Sequence, residues 1–236
     1  LAASGSETSN SCVLTNEETQ EKRGITSETN RPVISFLNPE NTFTVSKFQT
    51  GCGIVDIMMH TLERYLTPEG GESDLTDRIA EGLLIATRDA GRRAIADPRD
   101  YEARATLMWA GSVSHNDYTG CGRKRLFPVH KLEHELSAFR DEIAHGAGLS
   151  VLFPAWAEHE MQYDYPRFAQ FANRVLGVEM DFAHPERTAR EGIRTLRRFL
   201  CDQFCISHAD PDKRYLHLFS SNVFTGQTFY FLKNFL

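Results

Sequence analysis

Apolar residues recur at helical spacing along most of this chain. From about residue 52, GIVDIMMHTLERYL sets them three and four positions apart, the period of a helix with one buried face. DLTDRIAEGLLIATRDAGRRAIA repeats the stripe and opens on Asp74, a residue suited to an N-cap. DYEARATLMWAGSVSH follows, then KLEHELSAF, GAGLSVLFPAWAEHEM, YPRFAQFANRVLG and HPERTAREGIRTLRRFLCDQF. Residues 52–200 therefore read as a bundle of six or seven helices.

The first fifty residues follow a different pattern. CVLTN and KRGIT flank the polar EETQE and predict a hairpin. PVISFLNPE is a short β-rich apolar run closed by Asn and Pro, the signature of a buried strand. Strand signals then stop. After about residue 206 the chain is rich in Phe and loses its helical period. The organisation expected is the end of an α/β region over 1–50, an all-helical domain over 51–205 and an atypical tail over 206–236. The first residue is Leu and runs straight into LAASGSETSNS, which reads as the interior of a longer protein.

Composition narrows the function classes. With 41% hydrophobic and 25% charged residues, the chain is an ordinary globular one. Its net charge of -6 argues against a nucleic-acid partner, because phosphate binding needs a basic face. No apolar run approaches a membrane span and no signal peptide opens the chain. Five scattered cysteines do not make a secreted disulfide framework, so a reducing cytoplasm is expected. Cys201 and Cys205 share a helical segment and read as packing thiols more readily than as metal ligands.

Two histidine-bearing segments carry the candidate chemistry. Asp56 and His60 stand four apart on a helix, which puts both on one face with Cβ atoms roughly 6 Å apart. His130 and His134 form a second such pair, and His145 opens AHGAGL, whose glycines suit a loop of close backbone approach. Each pair alone is equally an Asp complementing a helix dipole or a satisfied histidine. One carboxylate with two or three imidazoles among apolar neighbours suits Zn2+ or Fe2+ and would polarise a carbonyl. SGSETSNS could cradle a phosphate with backbone N–H groups, but it lacks GxGxxG and GxxxxGKS and by itself reads as an ordinary loop.

The segments ASGSETSNS, EKRGI, GIVDIMMHTLERY, LMWAGSVSHNDYTGCGRK and EHELSAF…AHGAGLSVLFPAW closely resemble the iron-containing (group III) alcohol dehydrogenases. The nearest branch is the butanol dehydrogenase-like, NADPH-dependent aldehyde reductases, and the resemblance covers about residues 1–200 in order. It implies a mainly α fold: a dehydroquinate synthase-like helical C-terminal domain, preceded by the last strands of an α/β nucleotide-binding domain. It also implies Fe2+ (or Zn2+) held by Asp56, His60, His130 and His145. His134 matches an active-site histidine outside the ligand set, a catalytic candidate for positioning cofactor or substrate or for relaying a proton. Ser4, Gly5 and Lys22 match positions at the nucleotide. The reaction implied is hydride transfer between NADPH or NADH and a small aldehyde or primary alcohol, in a protein that forms homodimers at full length.

Three departures qualify the match. Most of the family's nucleotide domain, with its Gly-rich phosphate loop, has no counterpart here. FRDEIA carries one residue more than the family spacing between His134 and His145, so a shifted helix would take His145 off the metal. The tail after about residue 201 does not look like the family's last helices. Two other readings stay open: a glycerol dehydrogenase-like zinc enzyme, and a non-catalytic metal-binding remnant.

Overall fold

Four of the amphipathic segments start where a side chain caps them. The computed structural model describes residues 4–19, 21–67, 73–123, 126–139 and 143–203, with the backbone alone at Glu21, Lys22, Phe139, Asp202 and Gln203. The expectations for the tail after 205, and for Cys205, fall outside these residues.

The hairpin forms as read. β1 (Ser11–Asn16) and β2 (Glu21–Thr26) pair antiparallel, from Ser11 opposite Thr26 to Asn16 opposite Glu21. The buried strand expected at PVISFLNPE does not form. Residues 32–38 are irregular, Pro39–Thr42 makes a 3-10 turn, and Val33 and Phe36 are 98% and 94% exposed. The run has strand composition, but a strand also needs a neighbouring backbone edge for its N–H and C=O groups. Among the described residues the only sheet is the two-stranded hairpin, which does not pair with it.

The described residues then form seven α-helices: α1 (Lys47–Leu66), α2 (Asp74–Ala96), α3 (Tyr101–His115), α4 (Pro128–Phe139), α5 (His145–Glu160), α6 (Tyr165–Leu176) and α7 (Pro185–Gln203). Ser46, Asp100 and Asp164 cap α1, α3 and α6 by accepting from backbone N–H groups of the first turn. At α2 the cap is Ser73, not Asp74. The Ser73 hydroxyl accepts from Thr76 N, which leaves Asp74 as the first helical residue, where its charge complements the dipole. Cys201 lies on α7 but is exposed, so it is not a packing thiol. No helix among the described residues is long and apolar enough to cross a membrane.

α1 is the axis of the domain. Ile54, Val55, Met58, Met59, Leu62 and Tyr65 are at most 1% exposed, because α2, α3 and α5 all pack against this helix. A helix buried on most sides can carry polar groups only where they face one another. One such place is structural. Asp77 of α2 accepts from Arg123 and, in a fork, from Arg167, whose guanidinium lies 3.8 Å over the Tyr65 ring. Burial draws the Arg123 guanidinium down to about 10. Asp77→Ala leaves two largely buried cations without their carboxylate and is expected to cost about 3–5 kcal/mol. Urea unfolding checks this, with a lower midpoint at unchanged slope.

Candidate metal centre

The second polar place lies where four helices meet. On α1, Asp56, His60 and Glu63 fall at i, i+4 and i+7 and so share one stripe. On α4, His130, Glu133 and His134 do the same at i, i+3 and i+4. α5 contributes its first residue, His145, and α3 its last, His115. His145 therefore stands in the first turn of a helix and not in the glycine loop expected from AHGAGL. The glycines serve helix packing: a Cβ on Gly146 would lie 2.2 Å from the Cys52 carbonyl oxygen, and one on Gly148 2.8 Å from Glu133. Each lets α5 close on a neighbour, α1 on one side and α4 on the other. The extra residue in FRDEIA does not take His145 away; residues 140–142 lie outside the described set.

Two fully buried glutamates orient the imidazoles. Glu63 accepts from Nδ1–H of His130, and Glu133 from Nδ1–H of His145. A carboxylate only accepts, so each ring carries its proton on Nδ1 and aims a bare Nε2 inward. The target is Asp56. Its Oδ1 lies 3.4 Å from Nε2 of His130, 3.6 Å from that of His145 and 3.6 Å from that of His60. No hydrogen bond satisfies Asp56 Oδ1 or His130 Nε2, although both are buried. Lone pairs facing lone pairs in a buried space are costly unless a cation lies among them.

The spacing fits such a cation. Two donors about 2.1 Å from one ion at a tetrahedral angle stand about 3.4 Å apart. Asp56, His130 and His145 bring their donor atoms within 4.8 Å of one another, as do Asp56, His60 and His115, and Glu133, His134 and His145. Asp56, Glu63 and Glu133 put three carboxylates near the centre, and the neighbouring Arg64 is already paired with Asp117 at 3.2 Å, so a divalent ion would offset negative charge there. The residues present therefore fit a divalent metal.

Without an ion the protons redistribute. Burial opposes a charged His130, but Asp56 and Glu63 outweigh it and raise this histidine to about 9. Burial likewise opposes the Asp56 carboxylate, yet His130, His115 and His145 hold it below the usual range. His60 is driven well below the ordinary histidine value by burial and by the surrounding imidazoles and Arg64. Phe127 covers the rings, 5.3 Å from both His60 and His130, from a backbone with φ of 46°. Such a conformation in a bulky residue is strained and tends to occur at functional sites.

A cavity of about 290 Å³ opens against Asp56 and His145. Ile57, Leu107 and Met108 make it largely apolar, and the buried Arg104 supplies a guanidinium with one nitrogen unpaired. Cys52 also lines it, but burial pushes this thiol up to about 12, so it stays protonated and packs. Ser4 reaches the same cavity. Gly5, at φ 56°, lies so close to His115 that a Cβ there would stand 2.5 Å from the His115 Cβ. Lys22 belongs to β2, and its side chain is outside the described residues. His134 stands beside the centre, its ring 5.2 Å from His145 and 6.4 Å from His130.

Three residues here escaped the spacing argument. Glu63 and Glu133 lie on the same helix faces as the histidines they anchor, which is a usable signal. His115 has no local partner in sequence and joins the centre only because α3 crosses α1.

The sequence profile described as Fe-containing alcohol dehydrogenase family, C-terminal, matches residues 50–205. The chain belongs to this family. It is 40% identical over 200 residues to the NADH-dependent butanol dehydrogenase A of Clostridium acetobutylicum, covering 84% of this chain and 51% of that protein. It is 32% identical over 178 residues to the NADPH-dependent aldehyde reductase YqhD of Escherichia coli, covering 75% and 46%. The crystal structure of an NADH-dependent butanol dehydrogenase A from Thermotoga maritima superposes with a TM-score of 0.79 at 36% identity, covering 85% of this chain and 49% of that one. The chain thus spans about half the length of the relatives it matches. The helical bundle around α1 is the C-terminal fold of the Fe-containing alcohol dehydrogenases.

Proposed function

We propose that the chain carries the metal and substrate half of an NAD(P)H-dependent alcohol dehydrogenase or aldehyde reductase. The observation that supports this most is the convergence of three Nε2 atoms on Asp56 Oδ1, with two of the rings anchored by buried glutamates. Asp56, His60, His130 and His145 would hold Fe2+ or Zn2+. The ion, when bound, acts as a Lewis acid on a carbonyl or alcohol oxygen. The chain's own groups do the rest. Glu63 and Glu133 fix the ring tautomers, and outer partners of this kind sustain ligand basicity. The apolar cavity against Asp56 and His145 excludes water and takes a small aldehyde or primary alcohol. His134, at the edge of the centre, is placed to pass a proton. Ser4, which lines the cavity, and Gly5, which lies against His115, would contact the nicotinamide nucleotide together with Lys22 of the hairpin. NADH and NADPH both remain in view, since relatives of each kind match this chain.

Glu133→Ala removes the anchor of His145 and is expected to weaken divalent-metal binding about 10–100-fold. Titration of the chelator-treated chain against a competing dye measures it.

The test of function uses the Co2+-loaded chain. Butanal, or its inert analogue butyramide, is expected to change the visible spectrum, because a molecule in the cavity reaches the centre. NADH or NADPH added next is expected to be consumed with butanal only when metal is present. The half-length match favours one second reading, a metal-binding protein without reductase chemistry. A chain that binds Co2+ but responds to neither butyramide nor nucleotide would establish that reading and sink the first.

A further inference from the structure

We propose that His115 belongs to a second, overlapping station for the divalent ion, built from Asp56 Oδ2, His60 and His115. This rests on the metal reading above and adds to its ligand set. His115 is largely buried, and its Nδ1 lies 2.9 Å from the carbonyl oxygen of Gly111 and 2.8 Å from the Ser114 hydroxyl, whose own proton is donated to that same carbonyl. A carbonyl oxygen only accepts, so Nδ1 carries the proton and Nε2 is bare. The bare Nε2 faces Asp56 Oδ2 at 3.9 Å, acceptor against acceptor. A backbone carbonyl holding Nδ1–H is the arrangement that orients metal-ligating histidines. His130 and His145 show the same logic with glutamates in place of the carbonyl.

His60 connects the two stations. Its ring lies 3.8 Å from that of His115 and 4.2 Å from that of His130. Asp56, His60 and His115 place their donor atoms within 4.8 Å of one another, as Asp56, His130 and His145 do. Three protein donors suffice for a divalent ion that keeps one open position. One ion is held at a time, because both stations draw on His60, whose bare ring nitrogen offers a single lone pair. The single ion therefore has two positions that share Asp56, and the second is reached through His115. Gly5 seats His115 from the outside, so the Ser4–Gly5 loop bears directly on this second station.

Equilibrium dialysis with Zn2+ tests this on the 236-residue chain and the variants H145A, H115A and H145A/H115A, with circular dichroism to confirm the fold. The wild-type chain and H145A are each expected to bind one ion, H145A more weakly. The double variant is expected to bind at least about 100-fold more weakly than H145A, beyond the range of an outer-partner loss. If the His115→Ala change unfolds the chain, H145A/H115Q carries the same comparison, since Gln fills the volume. A double variant that binds as H145A does would overturn the second station while leaving the first intact, as would an H145A chain that binds no ion. A wild-type chain that binds no Zn2+ would overturn the metal reading and this inference together.

Discussion

Asp56→Ala is expected to weaken divalent-metal binding by more than about 100-fold, the upper end of what losing an outer hydrogen-bond partner costs. The reason is geometric. Three imidazole nitrogens point at one oxygen of this carboxylate from 3.4–3.6 Å, and a fourth faces the other oxygen from 3.9 Å. No other group on α1 can take that place, because Glu63 is already committed to His130. Asp56→Asn gives the cleaner comparison. It keeps the shape and removes the charge, so lost metal binding with an unchanged urea midpoint separates chemistry from folding. Competition titration with a metal-binding dye reads the change. Affinity within a few-fold of wild type in both variants would mean that the ion does not sit on Asp56.

Gly146→Ala is expected to cost about 3 kcal/mol or more, above the usual range for overpacking, and to weaken metal binding along with it. The added Cβ would meet Cys52 at its carbonyl oxygen, Cα and carbonyl carbon, at 2.2, 2.6 and 2.7 Å. These are backbone atoms in the second turn of α1 and cannot rotate away, so α5 must lift. His145 is the residue next to Gly146, and lifting α5 carries its Nε2 off Asp56. Urea unfolding and the same dye titration should therefore shift together. Ala147→Gly, one position further along, is a control that leaves this contact alone. A Gly146→Ala chain with wild-type stability would mean that α5 does not dock so closely on α1.

Much of this was legible from residue pattern because the chain is locally consistent. Apolar spacing marked all seven helices. Polar caps set the starts of α1, α2, α3 and α6, though one shifted from Asp74 to Ser73, since the hydroxyl lies one position upstream of the helix and the carboxylate within it. Asp56 with His60, and His130 with His134, were visible because helix geometry turns a spacing of four into a shared face. What lay hidden depended on crossings. His115 reaches the centre through the packing of α3 on α1, which no spacing encodes. Glu63 and Glu133 resemble ordinary surface charges until the imidazoles they hold are seen. The glycines after His145 were read as a place of close backbone approach, and the approach is real, but it is made by a helix: α5 closes on Cys52 and Glu133 through them. PVISFLNPE failed as a strand for the opposite reason: its composition is right, but no described edge pairs with it.

The account turns on whether the chain is built around an ion, and metal analysis asks this most directly. The wild-type chain, loaded with Fe2+ or Zn2+ and dialysed against a weak chelator, is predicted to retain one ion per chain, while Asp56→Asn treated alongside retains none. A folded wild-type chain that retains no ion, or an Asp56→Asn chain that retains as much, would contradict the account.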